Sequence, residues 1–503
     1  MHRRTRLAVV GAAVLLPAAG LAASATAAST TVATTVATRL PAPVPAVAEW
    51  TQVSSSETPP TQAQCFSAGR RCFGPAATRA AYNLNALYTQ GFDGRGKTIA
   101  IVDAYGSDTI RHDLHVYNTA FGLPSMCGEE SVVCTPGMPT FDTLTLQGSP
   151  ATKAPPSKSK GTGQENKSAW ALEVSLDVES AHAIAPGANI LLVTSPTAET
   201  LGVQGFPQMM NNEQYVVDHH LADVISQSFA SAEDAFGSSQ SLLNLRHAFV
   251  SANQNHVTVL GSSGDNGTAN TKKTPVKQGG TTIPQPTVEW PASDPLVTGV
   301  GGTYLCTDPN NTTSRVVDSA DPPAKCQANP GVAEVGWTFS GGGFSHVFSR
   351  PSYQSTLPAG STLIPSSARG VPDIALQASA TTGVLVYLTL PPDGQSGLLC
   401  GSTPCSTGWY DVGGTSASCP QWAGIVAIAD QYAGHDLGLI NPALYTVANN
   451  PAKYAADFYD VTVGNNTADP SVPGYPATTG WDPITGLGTP NVSALVPDLV
   501  AAS

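Results

Sequence analysis

Short runs of apolar, β-branched residues alternate along this chain with longer segments of helical periodicity. The run Thr98–Val102 predicts a strand that ends at Asp103, and the segments 224–230 and 257–267 each predict a strand that ends in a polar turn. Residues 170–195 predict a helix, a Pro-Gly stop and a further strand. Strands that alternate with helices in this way predict an α/β fold with a mostly parallel central sheet.

The alternation runs without a linker from about residue 75, which predicts one large domain over residues 75–503. Residues 28–74 read as a low-complexity lead or a short pro-segment, with order expected to begin near residue 74. Residues 1–27 have the basic start, apolar run and small residues of a secretory signal peptide, although an apolar tail without a targeting role is the alternative. No later stretch is long and apolar enough to span a bilayer, so we expect a secreted, extracellular protein.

Eight of the nine cysteines stand in close pairs along the chain, namely Cys65 with Cys72, Cys127 with Cys134, Cys306 with Cys326 and Cys400 with Cys405. Four short-range disulfides are the simplest pairing in an oxidising compartment, although spacing alone does not fix the connectivity. The ninth, Cys419, is expected to be a small buried hydrophobe. No Cys-x-x-Cys pair occurs, so a zinc site built on cysteines is not expected.

The chain is acidic but sparsely charged. Its formal net charge is −13, and only 12% of its residues are charged. This balance argues against a nucleic-acid partner, which would need basic patches. A low charge density also suits a protein that works in acid, where carboxylates are neutralised and many cations would repel one another.

Two carboxylates share the apolar face of the helix predicted after residue 170. Glu173 and Asp177 are four residues apart and share a face with Trp170, whereas Glu179 falls on the opposite face and is expected to be solvated. Charged groups seldom occupy a buried face unless they are paired or functional. One explanation is a structural pair bonded to the backbone or to an arginine. The other is a coupled acid pair that retains a proton and serves acid–base chemistry.

A candidate nucleophile stands where a Gly-Gly-Thr-Ser turn meets an apolar, helix-like run. Ser416 is either a helix cap or a nucleophile that needs a base. The ten histidines stand in no tight motif and are expected at the surface, so Glu173 is the better base candidate. Asp265 lies between glycines after a predicted buried strand. It is either an ordinary turn residue or, when protonated, a donor to a developing oxyanion.

Together these segments resemble the sedolisins, the serine-carboxyl peptidases that share the subtilisin fold. The segments "LEVSLD", "SSGDNG" and "GGTSAS" resemble three motifs of that family in order, and "WPASDPLVTGVGGT", "SGGGFSHVFSRPSYQ" and "RGVPDIAL" resemble signatures between them, so the likeness covers roughly residues 75–500. The resemblance implies a subtilisin-like three-layer fold. It implies that Ser416 is the nucleophile, Glu173 the general base, Asp177 the group that orients Glu173, and Asp265 the oxyanion partner beside the Ser416 N–H.

The resemblance also implies one structural Ca²⁺ near the C-terminus. Asp460 and Asp482 would supply carboxylate oxygens, and Val461, Thr478 and Gly480 would supply backbone carbonyls. Oxygen ligands of this mixed kind suit Ca²⁺ rather than zinc. Thr478 departs from the glycine that is common at its position in the family. Two ordinary turn aspartates are the alternative.

Substrate is expected along two segments, 224–230 and 340–345. An exposed strand edge can bind peptide main chain, so Ser226 and Ser228 are candidate substrate-binding residues. Glycines let backbones approach closely, so Gly341 and Gly342 are candidates as well. Asp103 lies near the position where subtilisins carry their triad aspartate. It either tunes the site or merely caps the strand.

The sequence therefore predicts a secreted, monomeric peptidase that hydrolyses polypeptides in acid through an acyl-enzyme, by internal cleavage or by tripeptide release. It needs no organic cofactor and has no nucleic-acid or membrane partner. One alternative is a catalytically silent binding protein on the same fold, and another is an ordinary subtilisin that uses Asp, His and Ser near neutral pH. The family usually carries a large N-terminal prodomain, whereas residues 28–74 are the lead here.

Overall fold

The computed structural model describes residues 44–45, 49–155, 167–196, 205–272, 282–320, 323–363, 366–391 and 394–503, so the predicted signal peptide lies outside the described residues. In chain order the strands are β1 (Val44–Pro45), β2 (Glu49–Ser54), β3 (Thr98–Ala104), β4 (Phe141–Gln147), β5 (Thr152–Lys153), β6 (Asn189–Ser195), β7 (Val224–Gln227), β8 (Phe229–Ala232), β9 (Thr258–Ser262), β10 (Glu289–Trp290), β11 (Thr298–Leu305), β12 (Glu334–Gly336), β13 (Gly343–Ser349), β14 (Ala368–Val371), β15 (Ile374–Gln377), β16 (Val384–Leu388), β17 (Leu399–Cys400), β18 (Thr403–Pro404), β19 (Gly408–Gly413), β20 (Phe458–Tyr459) and β21 (Thr489–Pro490).

The α-helices, in the same order, are α1 (Gln62–Ser67), α2 (Pro75–Ala81), α3 (Asn85–Thr89), α4 (Ile110–Phe121), α5 (Ser168–Ile184), α6 (Gly205–Asp218), α7 (Ser239–Leu243), α8 (His247–Gln254), α9 (Ala324–Gln327), α10 (Thr415–Ala433), α11 (Asn441–Ala448), α12 (Pro451–Asp457) and α13 (Val492–Ala502). The described residues fall within one compact unit. In the part of the chain that the structure covers, every helix is too short or too polar to cross a membrane.

The large sheet has the strand order β12-β11-β9-β7-β3-β6-β4-β5, with β15 also paired to β11. Its pairs are parallel except at β12 and β5, which are antiparallel to their neighbours. The chain places β6 on one side of β3 and β7 on the other, so the order reverses at β3. Open α/β sheets usually bind ligands at such a reversal, outside the carboxyl ends of the strands.

Helices cover both faces of this sheet, which confirms the predicted three-layer α/β fold. Successive residues of β3 point to opposite faces. Ile99 and Ile101 pack into the core that contains residues of α5 and α10, whereas Ala100 and Val102 pack into the core of α6 and α8. Because both faces are buried, the strand is a continuous apolar run rather than an alternating one.

Helix α5 is buried on nearly every side, so the expectation that Glu179 is solvated is wrong. The side that helical periodicity assigns to solvent packs against α4 and β16. Glu179 is fully buried there, and one of its carboxylate oxygens accepts a hydrogen bond of 2.9 Å from the Tyr387 N–H. The expectation of surface histidines is likewise wrong for His182. Its ring is buried and donates from Nε2 to the Pro124 carbonyl at 2.9 Å, and burial lowers its pKa to about 4.

Order begins well before residue 74, which corrects the expectation for the lead segment. Strand β2 pairs antiparallel with β19, with Trp50 opposite Val412. Helix α1 follows, and the disulfide between Cys65 and Cys72 closes the segment. The other three predicted disulfides are also present, and Cys419 is buried and free.

Candidate active site

The strand-to-helix turn before Ser416 depends on two glycines. Gly414 has φ +147°, a conformation that side chains rarely adopt, and it lies between the end of β19 at Gly413 and the start of α10 at Thr415. A Cβ on Gly413 would lie 2.1 Å from the Ala380 backbone nitrogen. Ser416 therefore sits in the first turn of α10, where its N–H has no partner within the helix and the helix dipole favours negative charge.

Close packing of α10 against α5 brings Ser416 toward Glu173. A Cβ added at Gly424 of α10 would lie 2.8 Å from the Ile184 Cβ of α5, so a glycine is needed for this approach. The Ser416 hydroxyl comes close enough to lower the pKa of Glu173 through hydrogen bonding. Within the described ranges, however, neither Ser416 Oγ nor the Glu173 oxygens make a hydrogen bond of good geometry. Catalytic pairs without substrate are often aligned in this loose way.

Three carboxyl groups cluster behind Ser416. Glu173, Asp177 and Asp103 are all fully buried. Burial raises the pKa of Glu173 well above its ordinary range, and the neighbouring Asp103 and Asp265 charges raise it further. Burial is also the main cause of the raised pKa of Asp177, to which the charges of Asp103 and Glu173 add, whereas a hydrogen bond from Ser228 opposes the rise. Burial raises the pKa of Asp103 to about 8.

Most oxygens of this cluster have no partner. Asp177 Oδ1 accepts a hydrogen bond of 2.9 Å from Ser228 Oγ. Asp177 Oδ2, both Asp103 oxygens and both Glu173 oxygens have none among the described residues. Buried polar groups are nearly always hydrogen-bonded, and neighbouring buried carboxylates cannot all ionise. The cluster therefore retains protons and titrates as a coupled set. Asp103, for which the sequence left two roles open, lies beside the predicted pair.

Asp265 follows β9 and reaches the start of α10. Its Oδ1 accepts hydrogen bonds from the Thr415 N–H at 2.7 Å and from the Thr415 hydroxyl at 2.9 Å. The residue is partly exposed, but Oδ2 is buried and without a partner in the described part of the chain. Burial raises the pKa of Asp265 well above its ordinary range, the hydrogen bonds from Thr415 lower it, and the Glu289 charge raises it.

Sequence reasoning missed Thr415 and Glu289. Glu289, in β10, is buried, and its carboxylate occupies the space that a Cβ on Gly264 would need, with Oε2 only 2.0 Å from that position. Burial raises the pKa of Glu289 to about 7. The only sequence signal for Glu289 is an acid placed between valine and tryptophan in an otherwise apolar stretch.

The structure corrects the expectation of an open strand edge at residues 224–230. Strand β7 is paired on both sides, by β3 and β9. Strand β8 is also paired on both sides, by β10 and by the backbone of Val44–Pro45. The Ser226 hydroxyl is buried and faces Cys419 Sγ at 3.5 Å, and the Ser228 hydroxyl serves Asp177. Direct contact of these serines with substrate stays a prediction.

Gly341 and Gly342 pack against the loops that frame the site. The Gly341 N–H donates to the Gly264 carbonyl at 2.7 Å, and a Cβ there would lie 2.0 Å from the Ser263 carbonyl oxygen. A Cβ on Gly342 would lie 1.9 Å from the Pro483 carbonyl oxygen. These glycines hold the turn of Asp265 close to the C-terminal loops, and their contact with substrate also stays a prediction.

The five predicted calcium ligands lie in neighbouring C-terminal loops. The Gly480 N–H donates to both Asp460 oxygens at 3.1 Å, and the Thr478 N–H donates to Asp482 Oδ2 at 3.0 Å. Burial raises the pKa of the Tyr454 hydroxyl, and the charges of Asp460 and Asp482 raise it further. Both carboxylates therefore lie near the Tyr454 hydroxyl.

The carbonyl groups of these loops fit a cation. In the described chain no backbone N–H donates to the carbonyl oxygens of Val461, Thr478 or Gly480. Gly480 needs its glycine, because its φ is +78° and a Cβ would lie 2.3 Å from Ser361 Oγ. Two carboxylates and three free carbonyls match the oxygen ligands of Ca²⁺. No cluster of three or more His, Cys, Asp or Glu side chains suited to a metal occurs among the residues that the structure describes.

Ser416 lies at the N-terminus of a buried helix that packs against a mostly parallel sheet. Subtilisin-like proteins have this geometry. Residues 159–441 match the peptidase S8 model, described as the subtilase family. Kumamolisin of Bacillus sp. (strain MN-32) is 29% identical over 431 residues, which are 85% of this chain and 64% of kumamolisin. Tripeptidyl-peptidase 1 of Homo sapiens is 30% identical over 360 residues, which are 67% of this chain and 53% of that protein.

A solved structure shows the same fold. Pseudomonas sedolisin, a serine-carboxyl proteinase complexed with two molecules of pseudo-iodotyrostatin, aligns with a TM-score of 0.59 at 24% identity, over 85% of this chain and 98% of that one. The chain therefore belongs to the subtilase family, as a sedolisin-like member. It spans about two thirds of the length of kumamolisin and about half of tripeptidyl-peptidase 1.

Proposed function

We propose that this protein is an exported serine-carboxyl peptidase that hydrolyses polypeptides in acid. The observation that carries the proposal is that the Ser416 hydroxyl lies beside a buried carboxyl cluster, while Asp265 bonds to Thr415, the residue directly before Ser416. The Ser416 hydroxyl lowers the pKa of Glu173, whereas His182, the buried histidine of the described chain, bonds to the Pro124 carbonyl instead. Similarity to kumamolisin, tripeptidyl-peptidase 1 and the serine-carboxyl proteinase sedolisin supports a serine-carboxyl peptidase.

In the proposed reaction Ser416 Oγ attacks the carbonyl carbon of the scissile bond while Glu173 takes the hydroxyl proton. Asp177 and Asp103 hold Glu173 in place and share its protons. When the C–N bond breaks, Glu173 returns the proton to the leaving amine. Water then attacks the acyl-enzyme, again with Glu173 as base, and releases the second product.

The oxyanion is held by the Ser416 N–H and by protonated Asp265. A charged Asp265 would repel the developing negative charge, so this role requires the neutral acid. The raised pKa of Asp265 keeps it neutral in acid. Activity should therefore fall as Asp265 ionises on the alkaline side and as Glu173 becomes protonated on the acid side.

One Ca²⁺ is proposed as a structural ion. Asp460 and Asp482 would hold it through their carboxylates, with carbonyl oxygens of Val461, Thr478 and Gly480. The ion would restrain the loops against which Gly342 packs. Export is supported by the signal-like residues 1–27 and by the four disulfides.

The test is hydrolysis of a denatured protein substrate from about pH 3 to 8. Ser416→Ala should abolish turnover, and Glu173→Gln should lower kcat/KM by about 10²–10⁴-fold. Asp265→Ala should lower kcat/KM by about 10²–10³-fold. Asp265→Asn keeps a neutral donor at every pH, so its kcat/KM should fall less and should no longer decline on the alkaline side.

Glu179→Gln is the matched control, since Glu179 lies on the same helix and is equally buried but bonds to Tyr387 outside the site. It should leave kcat/KM unchanged. A folded wild type that hydrolyses nothing would favour a binding protein, and an optimum near neutrality with full activity in Glu173→Gln would favour an ordinary subtilisin mechanism.

A further inference from the structure

Thr415 makes three hydrogen bonds that fix both its own hydroxyl and the carboxyl group of Asp265. The Gly264 N–H donates to Thr415 Oγ1 at 3.1 Å, so a lone pair of that oxygen is occupied. The hydroxyl proton is then free to point at Asp265 Oδ1, 2.9 Å away. The Thr415 N–H donates to the same Oδ1 at 2.7 Å.

Two donors on one oxygen decide where a neutral Asp265 carries its proton. In a protonated carboxyl group the carbonyl oxygen is the better acceptor, and the other oxygen is the donor. Oδ1 receives both hydrogen bonds and is therefore the carbonyl oxygen. Oδ2 is buried and has no partner among the described residues, so its proton is available to a bound group.

We propose that Thr415 is a positioning residue, which places the proton of Asp265 on Oδ2 and so aims it at the substrate oxyanion. This inference rests on the proposed function. Thr415 is fully buried and touches Asp265 rather than the reacting atoms, so it acts through Asp265. Without its hydroxyl, Oδ1 and Oδ2 become more alike as proton sites, and the acid spends less time in the donating form.

The kinetic test compares Thr415→Val, which keeps the shape but removes the hydroxyl, with Thr415→Ser, which keeps it. Thr415→Val should lower kcat at least about tenfold with little change in KM, less than the loss of an oxyanion donor outright. It should also move the alkaline limb to higher pH, because the hydroxyl's hydrogen bond lowers the pKa of Asp265. Thr415→Ser should restore both. In an Asp265→Asn background, Thr415→Val should cost little.

A second measurement does not depend on turnover. In Ser416→Ala protein with ¹³C-labelled aspartate, Asp265 is assigned by its absence in Asp265→Asn, and its carboxyl signal is titrated. Thr415→Val should titrate at higher pH than the parent. If it titrates at the same pH, or if Thr415→Val keeps the kinetics of wild type, the proposal is overturned. If Thr415→Val does not fold, Thr415→Ala takes its place under the same criteria. An inactive wild type with the expected titration shift would refute the proposed function and leave the positioning role standing.

Discussion

The carboxyl group of Asp430 should make the fold more stable in acid than at neutral pH. Asp430 lies near the end of α10 and is fully buried. Its Oδ1 accepts a hydrogen bond of 2.9 Å from the Leu437 N–H, whereas Oδ2 has no partner within the described chain. Burial raises its pKa from 3.8 to about 8; the Leu437 hydrogen bond and the Lys97 charge oppose the rise, and the charges of Asp436 and Asp223 add to it.

The sign and size of the effect follow from linkage. A pKa that is higher in the folded protein means that the native state binds the proton more tightly. The contribution is complete below the unfolded value of 3.8 and is lost as the pH rises toward the folded value of about 8. One pKa unit corresponds to about 1.4 kcal/mol, so the roughly three units between the unfolded pKa and pH 7 set an upper bound on the order of 4 kcal/mol.

Asp430→Asn tests this, because asparagine keeps the acceptor for the Leu437 N–H but cannot ionise. The free energy of unfolding should match the parent at pH 4 and exceed it by up to a few kcal/mol at pH 7. Urea unfolding at pH 4, 5.5 and 7 measures this, in a Ser416→Ala background that prevents self-digestion.

Asp469→Asn is the control, since Asp469 is a surface carboxylate whose pKa is lowered by a hydrogen bond from the Ser471 N–H. It should give no gain at pH 7. An equal effect of Asp430→Asn at pH 4 and pH 7, or a loss at pH 7, would refute the reasoning.

Three further results are expected. Asp103→Asn should leave the acid limb of the kcat/KM profile in place, because Asp103, whose pKa is raised to about 8, is already neutral there, and should remove the pH dependence that its ionisation adds near pH 8; a moved acid limb would mean that Asp103 is charged in acid. Calcium at about a hundred times its Kd should add about 2.7 kcal/mol to the free energy of unfolding, and EDTA or Asp460→Asn should remove that gain while Asp469→Asn keeps it. Removal of the residues before Glu49 should free the edge of β8 and strengthen binding of an extended peptide to Ser416→Ala protein, as measured by fluorescence anisotropy; unchanged binding would mean that this edge does not take peptide.

The layered fold could be predicted because its signals are local. The apolar run that became β3 and the helix-stop-strand pattern that became α5 and β6 are each complete within one stretch of sequence. The expectations that were wrong depended on segments that lie far away along the chain. Nothing near Trp50 shows that β2 pairs with Val412, and nothing near Glu179 shows that β16 covers what a helical wheel assigns to solvent.

The site residues also fall into those with a local sequence signal and those without one. The spacing of Glu173 and Asp177, the glycines around Asp265 and the turn before Ser416 are patterns of a few residues, so the sequence could indicate them. The role proposed for Thr415 depends on a carboxylate that lies 150 positions away along the chain, and the Glu289 carboxylate fits beside Asp265 only because Gly264 has no side chain. Partners that are chosen by tertiary structure leave no trace in local spacing.

Burial of carboxyl groups links the chemistry of this protein to its stability. Burial raises the pKa of Asp265, which in the proposed mechanism keeps it protonated for the oxyanion, and burial also raises the pKa of Asp430, which has no part in that mechanism. Rising pH should therefore inactivate the protein by two routes that differ in kind. Ionisation of Asp265 is a rapid proton transfer, and its effect is reversed when the pH is lowered. Loss of the protons that stabilise the fold acts through unfolding, which is slow and, in a peptidase, ends in digestion of the unfolded chain. Asp430→Asn should slow the second route without moving the alkaline limb of the first, because Asp430 has no contact with the groups that react.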